Sequence, residues 1–329
     1  MSHIPVMLDH VVEHIAPQPG EIVLDGTFGG GGYTRAILAA SECHVIGVDR
    51  DPDALQRATA IAADYQSRFT MLAGCFGDLD ELSAEAGFQG LDAVVLDLGV
   101  SSFQLDEDER GFSFMRDGPL DMRMAQSGPS AADLVNQADE RVLADIMFQL
   151  GEERQSRRIA HRIVEARKTE PFETTLQLAE LIEKALGGRK GKRAHPATRA
   201  FQAFRMFVND ELGELARALE AAERALKPGG RLVIVTFHSL EDRMVKSFLA
   251  ERSGKTEGQS RFMPEAANDG PAPSFEHVRK ISAPDTAEIE ANVRARSSRL
   301  RSAIRTSAPA WDKPVELPTR LPTLDEVVA

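Results

Sequence analysis

Short β-rich runs alternate with helical patterns through the first hundred residues, and this alternation is the mark of a parallel α/β sheet. The runs lie at 21–26 (EIVLDG), 44–49 (HVIGVD), 68–73 and 91–98 (LDAVVLDL), with helices expected to begin near Tyr33, Pro52 and Asp78. Asp51-Pro52 makes a good helix start, because aspartate caps free N–H groups and proline is tolerated at the first helical position. From about residue 106 to 210 the β signal vanishes and helical periodicity replaces it, as in DERVLADIMFQL, RRIAHRIVEAR and TLQLAELIEKAL. The helix ELARALEAAERALKPGG, the strand RLVIVTF and the helix SLEDRMVKSFL then restore the alternation, and late strands are expected at 276–282 and 297–305 after a long loop over 253–275. The simplest architecture is a discontinuous α/β domain over 1–107 and 209–306, interrupted by an all-helical domain over 108–208. The tail, 307–329, holds Pro309, Pro314, Pro318 and Pro322 and is expected to be extended or mobile.

An open α/β sheet binds its ligand outside the carboxyl ends of its strands, and there the sequence places Asp25-Gly26-Thr27-Phe28-Gly29-Gly30-Gly31-Gly32-Tyr33. Consecutive glycines let backbone approach a ligand closely or take positive φ. Two phosphate motifs fail at this loop. A dinucleotide fingerprint begun at Gly29 would need glycine where Thr34 stands, and a P-loop would need lysine where Tyr33 stands. Asp49 ends the second strand, where a carboxylate can accept from both hydroxyls of an adenosine ribose; such an acid is common to NAD and S-adenosylmethionine sites. Asp97 ends the fourth strand, so three acids share one edge of the sheet, and Phe76, just past the third strand, is positioned to cover an adenine or to join the core.

Composition narrows the remaining options. The 329 residues carry a net charge of −12, against coating of nucleic acid by bulk electrostatics, although cationic runs persist locally. One run holds Arg189, Lys190, Lys192, Arg193, Arg199 and Arg205, and another holds Arg294, Arg296, Arg299, Arg301 and Arg305. Cys43 and Cys75 are too few for a disulfide framework and lack zinc spacing, and no acidic pair fixes a magnesium set, so no metal is expected. No apolar run is long enough to span a bilayer, and the N-terminal residues lack a signal-peptide layout, so a cytoplasmic location without membrane partners is expected.

The ordered segments HIPVML, DGTFGGGGYT, GVDRDPDAL, LDLGVSSFQLDEDERGFSFMRDGPLDMRM, LGEERQSRRIA, HPATRAFQAFRMFVN, KPGGRLVIVTFHSLEDRMVK and RARSSRLR carry a resemblance. Along nearly the whole chain to about Thr306, the sequence resembles the ribosomal RNA small subunit methyltransferase H (MraW) family. The resemblance implies a class I S-adenosylmethionine-dependent methyltransferase, a Rossmann-like sheet with an inserted all-helical domain, 108–208, expected to recognise the substrate. It further implies N4-methylation of a cytidine in the decoding region of 16S rRNA of the small ribosomal subunit, with a homodimer as a further expectation. Carried over residue by residue, cofactor contacts fall on Gly31, Gly32, Tyr33, Asp49, Phe76, Asp97 and Gln104. The family often has histidine where Tyr33 stands, which leaves a backbone contact there but not an imidazole. Its Asn-Pro-Arg-Ala-Arg-Ser appears here as Asn292-Val293-Arg294-Ala295-Arg296-Ser297, losing the proline and keeping both arginines.

Cytosine N4 is a poor nucleophile because its lone pair is delocalised into the ring, so catalysis needs acceptors on the amino hydrogens and in-line placement. DNA amino-methyltransferases use a Pro-Pro loop after the fourth strand, whereas this chain has Asp97-Leu98-Gly99-Val100. Asp97 is the expected catalytic acceptor, and His238, at the end of the fifth strand, is a second catalytic candidate or a helix-start residue. Phe103, Phe112 and Phe114 are candidates for base stacking or for ordinary core. Lys190, Lys192, Arg193, His195 and Arg199, joined by Arg205, with Arg294 and Arg296, are the expected RNA contacts. Two alternatives remain open from the residues, a methyltransferase acting on another acceptor and a non-catalytic assembly factor that keeps the cofactor site.

Overall fold

The computed structural model describes residues 5–189, 195–254, 270–281, 284 and 286–328. Two compact units divide the chain, one of Met1–Gly99 with Gly213–Leu317 and one of Val100–Leu212 with Pro318–Ala329. The first unit opens with α1 (Leu8–Ile15), β1 (Ile22–Asp25), α2 (Gly32–Ala40), β2 (His44–Asp49), α3 (Pro52–Tyr65), β3 (Phe69–Ala73), α4 (Leu79–Glu85) and β4 (Leu91–Asp97). The second holds α5 (Ser102–Asp106), α6 (Ala131–Gln137), α7 (Glu140–Gln149), α8 (Ser156–Arg167), α9 (Thr175–Ala185) and α10 (Thr198–Val208). The boundary falls inside α11 (Glu211–Ala225), after which β5 (Leu226–Thr236), α12 (Ser239–Arg252), β6 (Phe275–Ile281), α13 (Thr286–Ala291) and β7 (Arg299–Arg305) complete the first unit. A short α14 (Leu324–Val327) ends the chain in the second unit.

The seven strands run in the order β3-β2-β1-β4-β5-β7-β6. All neighbours are parallel up to β5, and β7 enters antiparallel between β5 and β6. Order reverses between β1 and β4, which opens the ligand crevice at their carboxyl ends. Helix cover on a parallel sheet buries both faces, which is why β1, β2 and β4 read as continuous apolar runs rather than alternating ones. Val23, Val45, Ala93, Val95 and Val233 from the strands pack with Val11, Ile15, Ile37, Leu38, Ala54 and Ile61 from the helices in one core. Asp51 caps α3 by accepting from the Asp53 N–H at 3.1 Å, with Pro52 at the first helical position, as the sequence predicts.

The tail follows two courses rather than one. Residues up to Leu317 belong to the first unit and those from Pro318 to the second. The stretch after Thr306 is extended but anchored: the Trp311 ring lies 4.6 Å from the Arg252 guanidinium, its Nε1 donates to Ala272 O at 2.9 Å, and the Val315 N–H donates to Glu220 Oε1 at 2.7 Å. The prolines explain the lack of secondary structure, and the buried Arg252 explains the anchorage. Among the described residues, no helix is long and apolar enough to cross a membrane.

Candidate active site

The loop after β1 is held by its own backbone and by two threonines. Gly26 N–H donates to Val95 O at 3.0 Å and Phe28 N–H to Val48 O at 3.1 Å, which ties the loop to the ends of β4 and β2. Thr27 Oγ1 accepts from the Asp97 backbone N–H at 2.6 Å, and Thr34 Oγ1 donates to Asp25 Oδ2 at 2.7 Å. Gly31 has φ of +73°, and a Cβ there would lie 2.3 Å from Ile61 Cδ1, so both conformation and space demand glycine. On Gly32 a Cβ would meet Pro5 Cγ at 2.1 Å. The Pro5-Val6-Met7 segment therefore lies directly on the loop, and the Met7 N–H donates to Glu288 Oε1 at 2.5 Å.

Burial is the dominant electrostatic fact of this edge. Asp25 is 1% exposed. Its pKa rises to about 6, because desolvation outweighs the hydrogen bonds from Thr34 and Thr27, with the Asp49 charge adding to the rise. Asp49 is raised by the same burial, although Oδ2 accepts from Gly29 N–H at 2.8 Å and Oδ1 from Asp51 N–H at 2.9 Å. Each of its oxygens keeps a further lone pair. Asp97 lies well above the ordinary carboxylate range, pushed up by burial first, then by Asp25 and Glu241, while the Tyr33 hydroxyl works the other way. Its Oδ1 is shielded from solvent and has no hydrogen-bond partner among the described residues. Three carboxyls gathered in low dielectric, one with an unmet acceptor, suit a cationic ligand, since an adjacent positive charge restores the ionised form.

Other expected contacts divide by location. Phe76 follows β3, and its Cβ lies 3.4 Å from where a Cβ on Gly26 would sit, so it flanks the same crevice. Glu214 fixes that turn by accepting from Gly77 N–H at 3.0 Å. Tyr33 gives its ring to the core at 3% exposure, and its hydroxyl donates to Val6 O. What it offers a ligand is backbone N–H in the first turn of α2, where helical donors lack intrahelical partners. Gln104 lies in the second unit and closes the capping box of α5, its Oε1 accepting from Ser101 N–H at 3.1 Å. His238 is the N-cap of α12: Nδ1 accepts from Glu241 N–H at 3.4 Å and Nε2 lies 3.0 Å from Glu241 Oε1.

The pattern of the MraW methylase family matches residues 1–306. This chain belongs to that family. It is 60% identical over 310 residues to the ribosomal RNA small subunit methyltransferase H of Hyphomonas neptunium, covering 94% of this chain and 90% of that protein. It is 58% identical to the protein of the same name from Caulobacter vibrioides, over 94% and 97% of the two chains. A third, from Paramagnetospirillum magneticum, is 55% identical over 94% and 98%.

Several expected RNA contacts change character in this methylase. Lys190, Lys192 and Arg193 lie outside the described residues, as does the side chain of Arg294; Arg296 is exposed. His195 has both ring nitrogens engaged, Nε2 at 3.0 Å from Glu183 Oε2 and Nδ1 accepting from Ala197 N–H at 3.1 Å, with its ring against Phe114. Phe114 also packs edge-on against Phe201, and Phe112 is buried beside Arg110. Arg199 is exposed and donates to Glu152 O at 3.2 Å. Arg205 does not face phosphate as expected, because Glu211 holds it bidentately at 2.6 and 2.7 Å. Nor is the late cationic run a surface patch as a whole: Arg301 bonds Asp242 at 2.8 Å, and Arg305 donates to Glu223 O, Ser274 O and Ala308 O. Sequence reasoning missed Thr27, Thr34, Glu214 and Glu241; the two hydroxyls inside DGTFGGGGYT were the available signal for the first pair.

Proposed function

We propose that this methylase transfers the methyl group of S-adenosylmethionine to N4 of a cytidine in the decoding region of 16S rRNA, with the small ribosomal subunit in the cytoplasm as acceptor. The relatives' shared name supports an rRNA of the small subunit, and the chemistry of the crevice supports the cofactor. When bound, S-adenosylmethionine supplies an electrophilic methyl group on a positively charged sulfur. Gly31, Gly32 and the Tyr33 backbone would approach its amino-acid portion, Asp49 its ribose hydroxyls and Phe76 its adenine.

Asp97 carries the reading, because its Oδ1 is a buried acceptor with no partner among the described residues, at the point where strand order reverses. A carboxylate there accepts an amino hydrogen of cytosine, steers the N4 lone pair toward the methyl carbon and holds the proton that N4 must lose. Thr27 fixes the Asp97 backbone, and Glu241, from α12, adds to the rise that burial and Asp25 impose on its carboxyl, while His238 positions Glu241. The base must be unpaired or extruded to present N4. Asp97→Asn keeps the shape and loses the charge; turnover should fall about a hundredfold or more, as for loss of one preorganised polar group. Calorimetry of the folded variant separates the roles, since retained cofactor affinity with unchanged turnover removes Asp97 from the chemistry.

A further inference from the structure

The LGEERQSRRIA segment has no part in the crevice described above, yet it carries an exposed cationic tract on the described second unit. It forms the turn before α8 and the first half of that helix. Ser156, Ile159, Ala160 and Ile163 face inward and are buried, while Arg154, Arg157, Arg158 and Arg162 are exposed. Arg158 and Arg162 follow a four-residue spacing within α8, so helical geometry sets them on one face about 6 Å apart along the axis, with Arg157 next to Arg158 and Arg154 in the turn just before the helix. Among the described residues, none of the four guanidinium groups has an ion pair or hydrogen bond.

That isolation is selective. On the same helix Arg167 donates to Val135 O and Ala138 O, both at 2.8 Å, and Lys168 pairs with Glu165 at 2.5 Å. Nearby, Arg141 pairs with Asp145 and Lys184 with Glu180. The first turn of α8 contains no acidic residue, so Arg157 and Arg158 sit where the helix dipole disfavours cations. In a chain of net charge −12, two arginines in the first turn of a helix, with no partner among the described residues, work against the fold unless an anion joins them, and Arg154 and Arg162 extend the same charge to either side. Arginine suits phosphate in particular, through its planar fork of donors. Beyond Arg162 the charge becomes mixed: a groove of about 620 Å³ between α8 and α9 carries Glu170 and Glu180 with Lys184.

We propose that Arg154, Arg157, Arg158 and Arg162 form a phosphate-backbone contact for the RNA substrate, ending at Arg162. The proposal rests on the rRNA reading given above. It assigns the tract to orientation and affinity, since backbone contacts position a nucleic acid without reading its sequence.

The test compares three proteins on small ribosomal subunits lacking the modification and on free 16S rRNA, measuring binding across a salt series and methyl transfer. The first is wild type, and the second replaces all four arginines by glutamine. The third makes the same charge change at paired cations, Arg141→Gln, Lys168→Gln, Lys184→Gln and Arg35→Gln, the last of which pairs with Asp64 at 3.0 Å. The arginine variant should bind at least tenfold more weakly at ~0.1 M salt, with the slope of log K against log salt reduced by about three. Its cofactor affinity should hold and its thermal midpoint should not fall, rising slightly as the cations leave the helix start, and the paired-cation variant should keep the wild-type slope. Wild-type transfer together with an unchanged slope in the arginine variant, or equal slope losses in both variants, overturns the tract alone. Absence of wild-type transfer to either RNA, with transfer to another acceptor, overturns the rRNA reading and the tract with it.

Discussion

Charge is handled in opposite ways by the sheet unit and by α8 of the helical unit. Along β7 the arginines are consumed internally: Asp242 takes Arg299 and Arg301, both at 2.8 Å, and Arg305 is spent on backbone carbonyls. Arg252 is fully buried against Glu223 at 3.0 Å. On α8 and the turn before it, four arginines stand exposed with no partner among the described residues. Equal densities of arginine in two sequence runs thus have unequal meaning. An alternating run that enters a sheet between two strands finds acids and carbonyls, whereas a run on the outer face of an amphipathic helix meets only solvent or a ligand.

The largest effect that tests this contrast is expected at Asp242. Burial raises its pKa, but hydrogen bonds from Arg301 and Arg299 outweigh that and hold the carboxyl below its ordinary range. Asp242→Ala strands the buried Arg301 and should destabilise the protein by about 3–5 kcal/mol in denaturant unfolding. A loss below ~1 kcal/mol would put these arginines in the same class as those of α8.

Smaller, and opposite in its pH sign, is the effect at Asp25. Its pKa is higher in the folded chain, about 6 against 3.8, so protonation favours the native state. Its stabilising contribution is complete below pH ~3.8 and lost as pH rises through ~6, a swing of about 3 kcal/mol. Unfolding of the cofactor-free protein between pH 4 and 7 should show this decline, and Asp25→Asn should make it shallower, leaving the part due to the other raised carboxyls, Asp49 and Asp97; an identical slope in the variant would mean that Asp25 is not held in a dry site. The smallest effect belongs to α8 itself. Arg157→Gln with Arg158→Gln relieves cations from a helix start and should raise the thermal midpoint slightly, by the equivalent of ~0.5 kcal/mol. A clear loss of stability would mean that these side chains have structural partners.

Much of the sheet was legible because parallel strands leave continuous apolar runs with a ligand-facing acid at the end, as in HVIGVD and LDAVVLD. The glycine loop was legible for a related reason: at Gly31 neither φ nor Ile61 admits a side chain. What escaped the sequence depends on long-range pairing. Nothing local marks Arg205 as the partner of Glu211 or Tyr33 as a donor to Val6, and a proline-rich tail gives no sign that Trp311 will cover a buried arginine. The helical unit was visible as an insertion by its change of period, but its boundary at Leu212–Gly213 lies within one continuous helix and leaves no punctuation to read.

Methyl transfer from the carboxyl-lined crevice to a cytidine amino group of small-subunit rRNA is checked by incubating the protein with labelled S-adenosylmethionine and small subunits lacking the modification, alongside free 16S rRNA, tRNA and DNA, followed by nucleoside analysis. Label is expected in N4-methylated cytidine, only with the subunit or its rRNA. Label in another nucleoside or another acceptor, or cofactor binding without any transfer, would contradict this assignment.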